Sequence, residues 1–333
     1  MLARVAESLY WTGRMIERAD TCSRLLEVSH AMTRERAAAG PREVWEPLVE
    51  ITGDLDRFLA THRRADERSV VWFLSFSPAN PNSVMSCIRR ARRNAHGVRE
   101  LLPTDMWETL NGLHMELRGW PPSRITREGV YPFCRLVRRT SQLLQGIADQ
   151  GMRHDAAWWF LRAGRYLERA EKTARLLEIR YRLVAPREPA VAAPADLHAW
   201  HRLLRSSGAD EAFLRAGGGL VSPASIARFL LVDARFPRSV AYCLDEVGRG
   251  VEELIADGAM RGGSEMLGLL ALTRDELLGN AAAARNGRLA WLLDHVQRRC
   301  NEIDVALAAS CFAYPSTREG GAQRAQAARQ AQN

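Results

Sequence analysis

Two clusters of arginine and glutamate are the residues of this chain best suited to chemistry. The clusters lie 151 residues apart and share one spacing: Arg14, Glu17 and Arg18 in the first, Arg165, Glu168 and Arg169 in the second. Residues three and four apart are neighbours on a helix surface. A guanidinium group can hold a carboxylate or phosphate through two parallel hydrogen bonds, and a carboxylate can act as a general acid or base. The spacing therefore indicates ion pairs, an anion-binding site, or both.

The surroundings of the clusters predict that the charges are covered. With about 100° per residue around a helix, the second cluster lies opposite an ordinary apolar stripe. Trp158 and Leu161 before the charges, and Leu176 after them, nevertheless fall at the same angles as the charges, within two turns of them. A helix that is apolar on one face, and also at both ends of the other, packs against neighbours on both sides. We therefore predict that the following four side chains are mostly buried: Arg14, Glu17, Arg165 and Glu168.

Two interpretations of the buried clusters stay open, because buried charges must be paired, hydrogen-bonded or left facing a cleft. In the first interpretation, each glutamate neutralises its arginines and the ion pairs lock two halves of the protein together. In the second, spare guanidinium donors hold an anionic ligand. The second interpretation assigns catalytic roles to Glu17 and Glu168. It assigns ligand binding to Arg14, Arg18, Arg165, Arg169 and Tyr10.

The clusters belong to a longer internal repeat. Gly13 recurs as Gly164 at the same offset of 151, and Pro81 recurs as Pro237 at an offset of 156. Small loop insertions produce such a drift, so we predict a duplication. The predicted organisation is a first helical unit at 1–150, a second at 151–314 packed with it as one domain, and a disordered tail at 315–333, which is poor in apolar residues.

The elements that must position the clusters are helices. Apolar residues recur at three- and four-residue intervals along most of the chain, whereas alternating runs typical of strands are scarce. Ser83 and Ser239 each stand where a hydroxyl can cap the helix that follows. The segments rich in glycine and proline that separate helices lie at 39–41, 77–83, 119–122 and 217–219. The predicted fold class is all-α, a helical bundle formed by two duplicated helical units.

Composition excludes several classes of protein. The 333 residues are 47% hydrophobic, enough for a large core, and no apolar run approaches the roughly 20 residues that span a bilayer. The first eight residues carry charges where a secretory peptide needs an apolar stretch. Six cysteines are scattered without a metal-binding spacing. We therefore expect a cytoplasmic protein that has no membrane segment, metal or cofactor.

Two other groups of residues have types that could form a site. Glu17 with Asp20, and the matching pair in the second cluster, place carboxylates three residues apart, as dimetal helical bundles do. The Glu-x-x-His element of such bundles is missing, and the adjacent arginines would repel a cation, so no metal site is predicted. His154 and Asp155 could form an acid/base pair. Asp155 is better placed to cap a helix, and capping is the prediction.

Nucleic-acid binding is an alternative function. The net charge is +8, and four arginines are concentrated at 89–93. Ile88, Ala91 and Ala95 give the same helix a core-facing stripe, so we favour an ordinary solvated helix face. Lys172 is the only lysine, and the other basic residues are arginines. Because this bias extends over the whole chain, it does not by itself predict a recognition surface.

The segments at 5–19 and 160–170, which contain the two clusters, resemble the bacterial alpha-E family, named for helices with Glu-Arg motifs. The segments at 80–84 and 100–107 resemble other recurrent parts of that family. The likeness extends over nearly the whole chain, to about residue 314. The Glu-Arg positions of this chain are Glu17-Arg18 and Glu168-Arg169.

The resemblance implies a function. Members of the family are typically encoded beside circularly permuted ATP-grasp ligases and transglutaminase-like peptidases. The implied role is therefore in a bacterial system that makes or modifies a peptide or amide-linked product, with those proteins as partners and an anionic peptide-like intermediate as the ligand. A non-catalytic helical scaffold is the first alternative, and whether the protein catalyses a step stays open. Lys172 stands where the first cluster has Thr21, so the clusters need not share one task.

Overall fold

A computed structural model of the protein describes residues 1–35, 41–121, 124–125, 128–184, 194–217, 221–260, 262–281 and 289–312. Within these ranges every regular element is helical and no strand occurs, which confirms the predicted all-α class. The tail predicted to be disordered, 315–333, lies outside the described residues. Buried apolar side chains from both halves form one continuous core.

The described helices form two series of seven. The first series is α1 (Ala3–Glu35), α2 (Pro41–Thr52), α3 (Leu55–Leu59), α4 (Glu67–Ser75), α5 (Val84–His96), α6 (Thr104–Arg118) and α7 (Tyr131–Gly151). The second is α8 (Ala156–Val184), α9 (Pro194–Ser206), α10 (Asp210–Arg215), α11 (Pro223–Val232), α12 (Val240–Ala256), α13 (Gly263–Ala281) and α14 (Leu289–Cys311). A 3₁₀ turn, Arg99–Leu101, precedes α6.

The two long helices α1 and α8 form the centre of the bundle and pack most extensively against each other. Helix α1 also packs against α5 and α7, and α8 packs in the same way against α12 and α14. Each central helix reaches across to the other series as well, α1 to α9 and α8 to α2. The duplication itself stays a prediction, and superposition of the two series is its test.

Two glycines let the central helices touch backbone to backbone. A Cβ atom on Gly13 would lie 2.1 Å from the carbonyl oxygen of Leu161, and one on Gly164 would lie 2.1 Å from that of Tyr10. A non-bonded carbon atom cannot approach an oxygen atom so closely, so only glycine fits at either position. The close crossing brings the arginines and glutamates of one helix within reach of the other.

Predicted helix caps hold the ends of the elements that surround this crossing. The Ser83 hydroxyl accepts the N–H of Ser86 at 3.2 Å, and the Ser239 hydroxyl accepts the N–H of Tyr242 at 3.1 Å. Both predicted caps are confirmed. Asp155 accepts the N–H of Ala157 at 3.0 Å immediately before α8 begins, which confirms its capping role.

Candidate functional site

The two Glu-Arg motifs pair with each other across the α1–α8 crossing. Arg169 donates from Nε and Nη2 to the two carboxylate oxygens of Glu17, at 2.8 and 2.6 Å. Arg18 donates from the same two atoms to Glu168, at 2.6 and 2.9 Å. Both are bidentate guanidinium–carboxylate pairs, which have the geometry of the strongest charge-assisted hydrogen bonds. Each motif therefore supplies one acceptor and one donor to the opposite helix.

Burial of these charges agrees with the sequence prediction. Glu17 and Glu168 are fully buried, and Arg14 and Arg165 are 4% and 8% exposed. Burial alone would raise the pKa of Glu17, but the guanidinium groups of Arg169 and Arg238 outweigh it and lower that pKa to about 2. The pKa of Glu168 is also lowered, because its cationic neighbours outweigh burial. Both glutamates are therefore ionised and saturated with donors.

Arg14 is saturated with acceptors. Its Nε atom donates to Glu168 at 2.8 Å, Nη2 donates to Glu171 at 2.7 Å, and Nη1 donates to Asp304 of α14 at 2.5 Å. Burial would lower the pKa of this guanidinium, but the surrounding acidic groups outweigh burial and raise it. The spare positive charge expected from the first cluster is therefore absent, because carboxylates from distant parts of the chain neutralise it.

Tyr10 is part of the same saturated network. Its hydroxyl donates to Asp304 and accepts a hydrogen bond from Nη1 of Arg14 at 3.1 Å. The ring is fully buried, and burial raises the pKa of the phenol. The polar atom predicted to bind a ligand is thus occupied within the protein.

Arg165 occupies the position in α8 that Arg14 occupies in α1, but its surroundings are poorer in acceptors. Its Nε–H is buried without an acceptor among the described residues. Its Nη2 atom lies 3.6 Å from Asp149, beyond hydrogen-bond distance, and the Asp149 side chain is 43% exposed. The Tyr166 ring lies 4.9 Å from this guanidinium. Burial lowers the pKa of Arg165, the neighbouring cations Arg169 and Arg162 lower it further, and Tyr166 and Asp149 oppose the shift without reversing it. Arg165 is a buried charge with weak compensation, an arrangement that costs free energy.

On the predicted duplication, a matched pair of contacts indicates which residue of α7 corresponds to Asp304. Glu27 of α1 accepts from Arg138 of α7, and Glu178, 151 residues later in α8, accepts from Gln297 of α14. Gln145 lies seven residues, or two helical turns, after Arg138 in α7. Asp304 lies seven residues after Gln297 in α14. The carboxylate that neutralises Arg14 is therefore matched, near Arg165, by a neutral amide.

Two more positions differ between the surroundings of Arg14 and those of Arg165. Leu161 stands 151 residues after Tyr10 and offers no hydroxyl. Asp20 stands 151 residues before Glu171; Arg24 and Arg238 donate to its Oδ2 atom, each at 2.8 Å, and its buried Oδ1 atom accepts no hydrogen bond from the described residues. The Nε–H of Arg165 is thus left as a spare donor.

A small cavity lies beside Arg165, between α1, α6, α7 and α8. Its polar walls are Gln145, Asp149, Arg162 and Arg165. Its apolar walls are Gly13, Ile16, Met106, Leu144, Ala148, Trp158 and Leu161. The cavity volume is about 20 Å³, which exceeds the space needed for one water molecule. Arg162 is itself engaged, since it donates to Glu246 at 2.7 Å and stacks 4.6 Å from the Trp158 ring.

Residues 1–312 match the alpha-E family, described as a predicted alpha-helical domain with a conserved ER motif. The chain belongs to the alpha-E family. Uncharacterized proteins of Mycobacterium tuberculosis and Mycobacterium bovis are each 27% identical to it over 334 aligned residues, which cover 94% of this chain. The alpha-E chain spans about 37% of the length of these relatives. No solved structure matches it.

The sequence did not reveal three residues that complete the alpha-E site. Arg238 donates to Glu17 at 3.0 Å and to Asp20 at 2.8 Å from the turn before α12. Asn82, in the corresponding turn before α5, accepts from Arg18 at 2.7 Å. Asn82 and Arg238 directly follow the repeated prolines at 81 and 237, so the internal repeat is the sequence pattern that indicates these two positions. The third residue is Asp304, which no local pattern indicates.

The described residues also bear on the other features that the sequence indicated. Ile88, Ala91 and Ala95 are fully buried, as the predicted core stripe of α5 requires. Arg92 on that helix donates to Asn111 at 2.7 Å, and nucleic-acid binding stays untested. Within the described ranges, no group of His, Cys, Asp and Glu side chains is arranged to hold a metal ion. None of the helices described has the length and apolarity to cross a bilayer.

Proposed function

We propose that this alpha-E chain is a ligand-holding component of a bacterial system that makes or modifies a peptide or amide-linked product. In this proposal it acts with an ATP-grasp ligase and a transglutaminase-like protein, and Arg165 binds an anionic group of a peptide-like intermediate. Membership in the alpha-E family supports the proposal, and the partners are those that the resemblance implies through the family's typical gene neighbours.

The observation that carries the binding role is the unequal pairing of Arg14 and Arg165. Arg14 donates to three carboxylates, whereas the Nε–H of Arg165 lacks an acceptor and the ion pair with Asp149 spans 3.6 Å. A buried guanidinium with spare donors gains more from an anion than a solvated one does, because its own hydration is already lost. The cavity beside Arg165 supplies the space for that anion.

The state of the glutamates supports binding rather than proton transfer. A general acid or base works best when its pKa lies near the operating pH. Glu17 and Glu168 are instead held ionised, and each accepts hydrogen bonds from two arginines. Among the described residues, neither carboxylate lines the cavity beside Arg165. The catalytic roles that the sequence suggested for them are therefore not part of this proposal.

A non-catalytic scaffold is the second candidate, and the crossed Glu-Arg pairs favour it. Ion pairs buried between two central helices fix how those helices meet, which is a structural task. In that case the ligase would need the alpha-E chain as a surface, and Arg165 would matter only for folding. The two candidates differ in what an Arg165 substitution does to a protein that remains folded.

The test is reconstitution of product formation by the proposed partners, an ATP-grasp ligase and a transglutaminase-like protein, with and without the alpha-E chain. Omission of the alpha-E chain should abolish or slow product formation, and Arg165→Gln should do the same while the protein stays folded. Arg215→Gln, at a side chain 76% exposed, is the matched control and should leave the rate unchanged. If omission has no effect, the proposed function is wrong. If omission matters and Arg165→Gln does not, the scaffold candidate replaces it.

A further inference from the structure

We infer that the cavity beside Arg165 accepts a single carboxylate joined to an apolar group, such as the carboxyl terminus of a peptide that ends in an apolar residue. The inference rests on the proposed function and names the chemical class of its ligand. Arg14 meets a carboxylate that the protein supplies from Asp304. Beside Arg165, the neutral amide of Gln145 stands at the position that the predicted duplication matches to Asp304.

The surroundings of Arg14 show what the position near Arg165 lacks. Asp304 presents a carboxylate to Nη1 of Arg14 at 2.5 Å. Gln145 stands at the corresponding position of α7, and its side chain lines the cavity with that of Arg165. An amide has nearly the shape of a carboxylate but carries no charge, so it cannot neutralise a guanidinium. An external carboxylate that enters the cavity would restore the missing charge.

The edge of Arg165 that is left open is suited to a carboxylate. Arg18 and Arg169 each use the Nε and Nη2 atoms to hold both oxygens of one carboxylate. On Arg165 the Nε–H has no acceptor among the described residues, and Nη2 has only the 3.6 Å approach of Asp149. The Asp149 side chain is partly exposed, so water screens its attraction for Arg165. A planar carboxylate can take the place that Asp149 fills poorly.

Size and charge favour a carboxylate over a phosphate. The enclosed part of the cavity, about 20 Å³, admits a small planar group, and the cavity is partly open to solvent, so the group attached to a carboxylate would extend outward. A phosphate ester carries between one and a half and two negative charges at neutral pH. Asp149 in the cavity wall would repel that charge. The ionised Glu17 would repel it as well, since Glu17 lies 3.5 Å from the side-chain amide of Gln145. A singly charged carboxylate experiences less of this repulsion.

The remaining walls indicate an apolar neighbour for the carboxylate. In the first cluster the Tyr10 ring lies beside the Asp304 carboxylate and is fully buried. Leu161 holds the corresponding place in α8 and is smaller. Ile16, Met106 and Leu144 also line the cavity. An apolar group attached to the carboxylate would cover the small apolar area that these walls leave exposed at the opening, and such burial is favourable at about 25 cal/mol per Å².

The experiment uses N-acetyl-leucine as the carboxylate probe and N-acetyl-leucinamide as its neutral partner, with the full chain in calorimetry and in NMR titrations. N-acetyl-leucine should bind to the wild-type protein at least about tenfold more tightly than the amide, because a hydrogen bond to a charged group contributes this much. Arg165→Gln should remove the preference. Equal binding of the two probes would overturn the inference.

A second variant supplies the carboxylate from within the protein. Gln145→Glu keeps the shape of the side chain and adds a negative charge at the position that corresponds to Asp304. It should compete with the probe and weaken N-acetyl-leucine binding about tenfold or more. Gln142→Glu, on an exposed position of the same helix, is the matched control and should bind as wild type does. Unweakened binding by folded Gln145→Glu protein would contradict the inference.

Inorganic phosphate, titrated in parallel, separates the two proposals. If phosphate binds in an Arg165-dependent way and N-acetyl-leucine does not, the carboxylate inference fails and anion binding stands. If neither probe binds and Arg165→Gln leaves reconstituted product formation unchanged, both proposals fail. If N-acetyl-leucine binds as expected but the Arg165 substitution does not alter product formation, the carboxylate site stands and the proposed function fails.

Discussion

Arg169 holds both carboxylate oxygens of Glu17 from the opposite central helix, at 2.8 and 2.6 Å, and both side chains are buried. Arg18 holds Glu168 in the same way with the helices exchanged. Because both pairs form only when α1 and α8 meet in one register, the crossed pairs specify how the two helices align. Removal of one partner of such a pair leaves the other charge buried and unpaired, and therefore lowers the free energy of unfolding strongly.

Glu168→Gln should destabilise the protein strongly. The substitution keeps the size of the side chain but leaves Arg14 and Arg18 without the carboxylate that they share. An uncompensated buried charge costs about 3 kcal/mol or more of unfolding free energy. Urea denaturation followed by circular dichroism measures the loss. Glu116→Gln, at an exposed glutamate, should stay within about 0.5 kcal/mol of wild type. A loss below about 1 kcal/mol for Glu168→Gln would contradict the locking role.

Acid should destabilise the protein because it protonates the glutamates of the same ion pairs. The pKa of Glu17 is lowered from its ordinary value of 4.5 to about 2 in the folded protein. A lowered folded-state pKa contributes stability that is fully present above the unfolded value and is lost as the pH falls through the folded value. Unfolding free energy should therefore decline between about pH 4.5 and pH 2. In Glu17→Gln this decline should be shallower, and an identical slope would contradict the pKa assignment.

Gly13→Ala should destabilise the protein by pushing the central helices apart. The added methyl group would lie 2.1 Å from the Leu161 carbonyl oxygen, which is backbone and cannot rotate away. Overpacking of this kind costs about 1–3 kcal/mol. Gly112→Ala in α6 meets nothing within 4 Å and should instead stabilise the protein by about 0.5–1 kcal/mol. Thermal and urea unfolding of the two variants should shift in opposite directions, and a neutral Gly13→Ala would be inconsistent with the close crossing.

Features that depend on nearby residues could be predicted from the sequence. The caps at Ser83 and Ser239 follow from a hydroxyl placed before an amphipathic helix. The burial of Glu17 and Glu168 follows from apolar residues that frame each cluster on its own helix. Both inferences need only the helical period and the residue types, which a single sequence contains.

The partners of the buried charges could not be predicted in the same way. Asp304 lies 290 residues from Arg14 in the chain, and Arg238 lies 221 residues from Glu17. Which distant carboxylate meets which guanidinium is decided by the packing of α14 and of the turn before α12, and no local pattern encodes it. For this reason the sequence predicted a similar charge surplus in both clusters. In the structure, of the matching pair Arg14 and Arg165, it is Arg165 that is weakly compensated.

Arg14→Met and Arg165→Met should therefore differ in stability although the two arginines occupy matching positions. Loss of Arg14 leaves Glu171 and Asp304 with less compensation in a buried site, and should cost about 3 kcal/mol of unfolding free energy. Loss of Arg165 removes a cation whose Nε–H lacks an acceptor, and replacement by an apolar side chain of similar length should change stability by less than about 1 kcal/mol. Urea denaturation of both variants at neutral pH makes the comparison. If Arg165→Met loses as much stability as Arg14→Met, Arg165 is a structural partner in the network, and its availability to an anion is refuted.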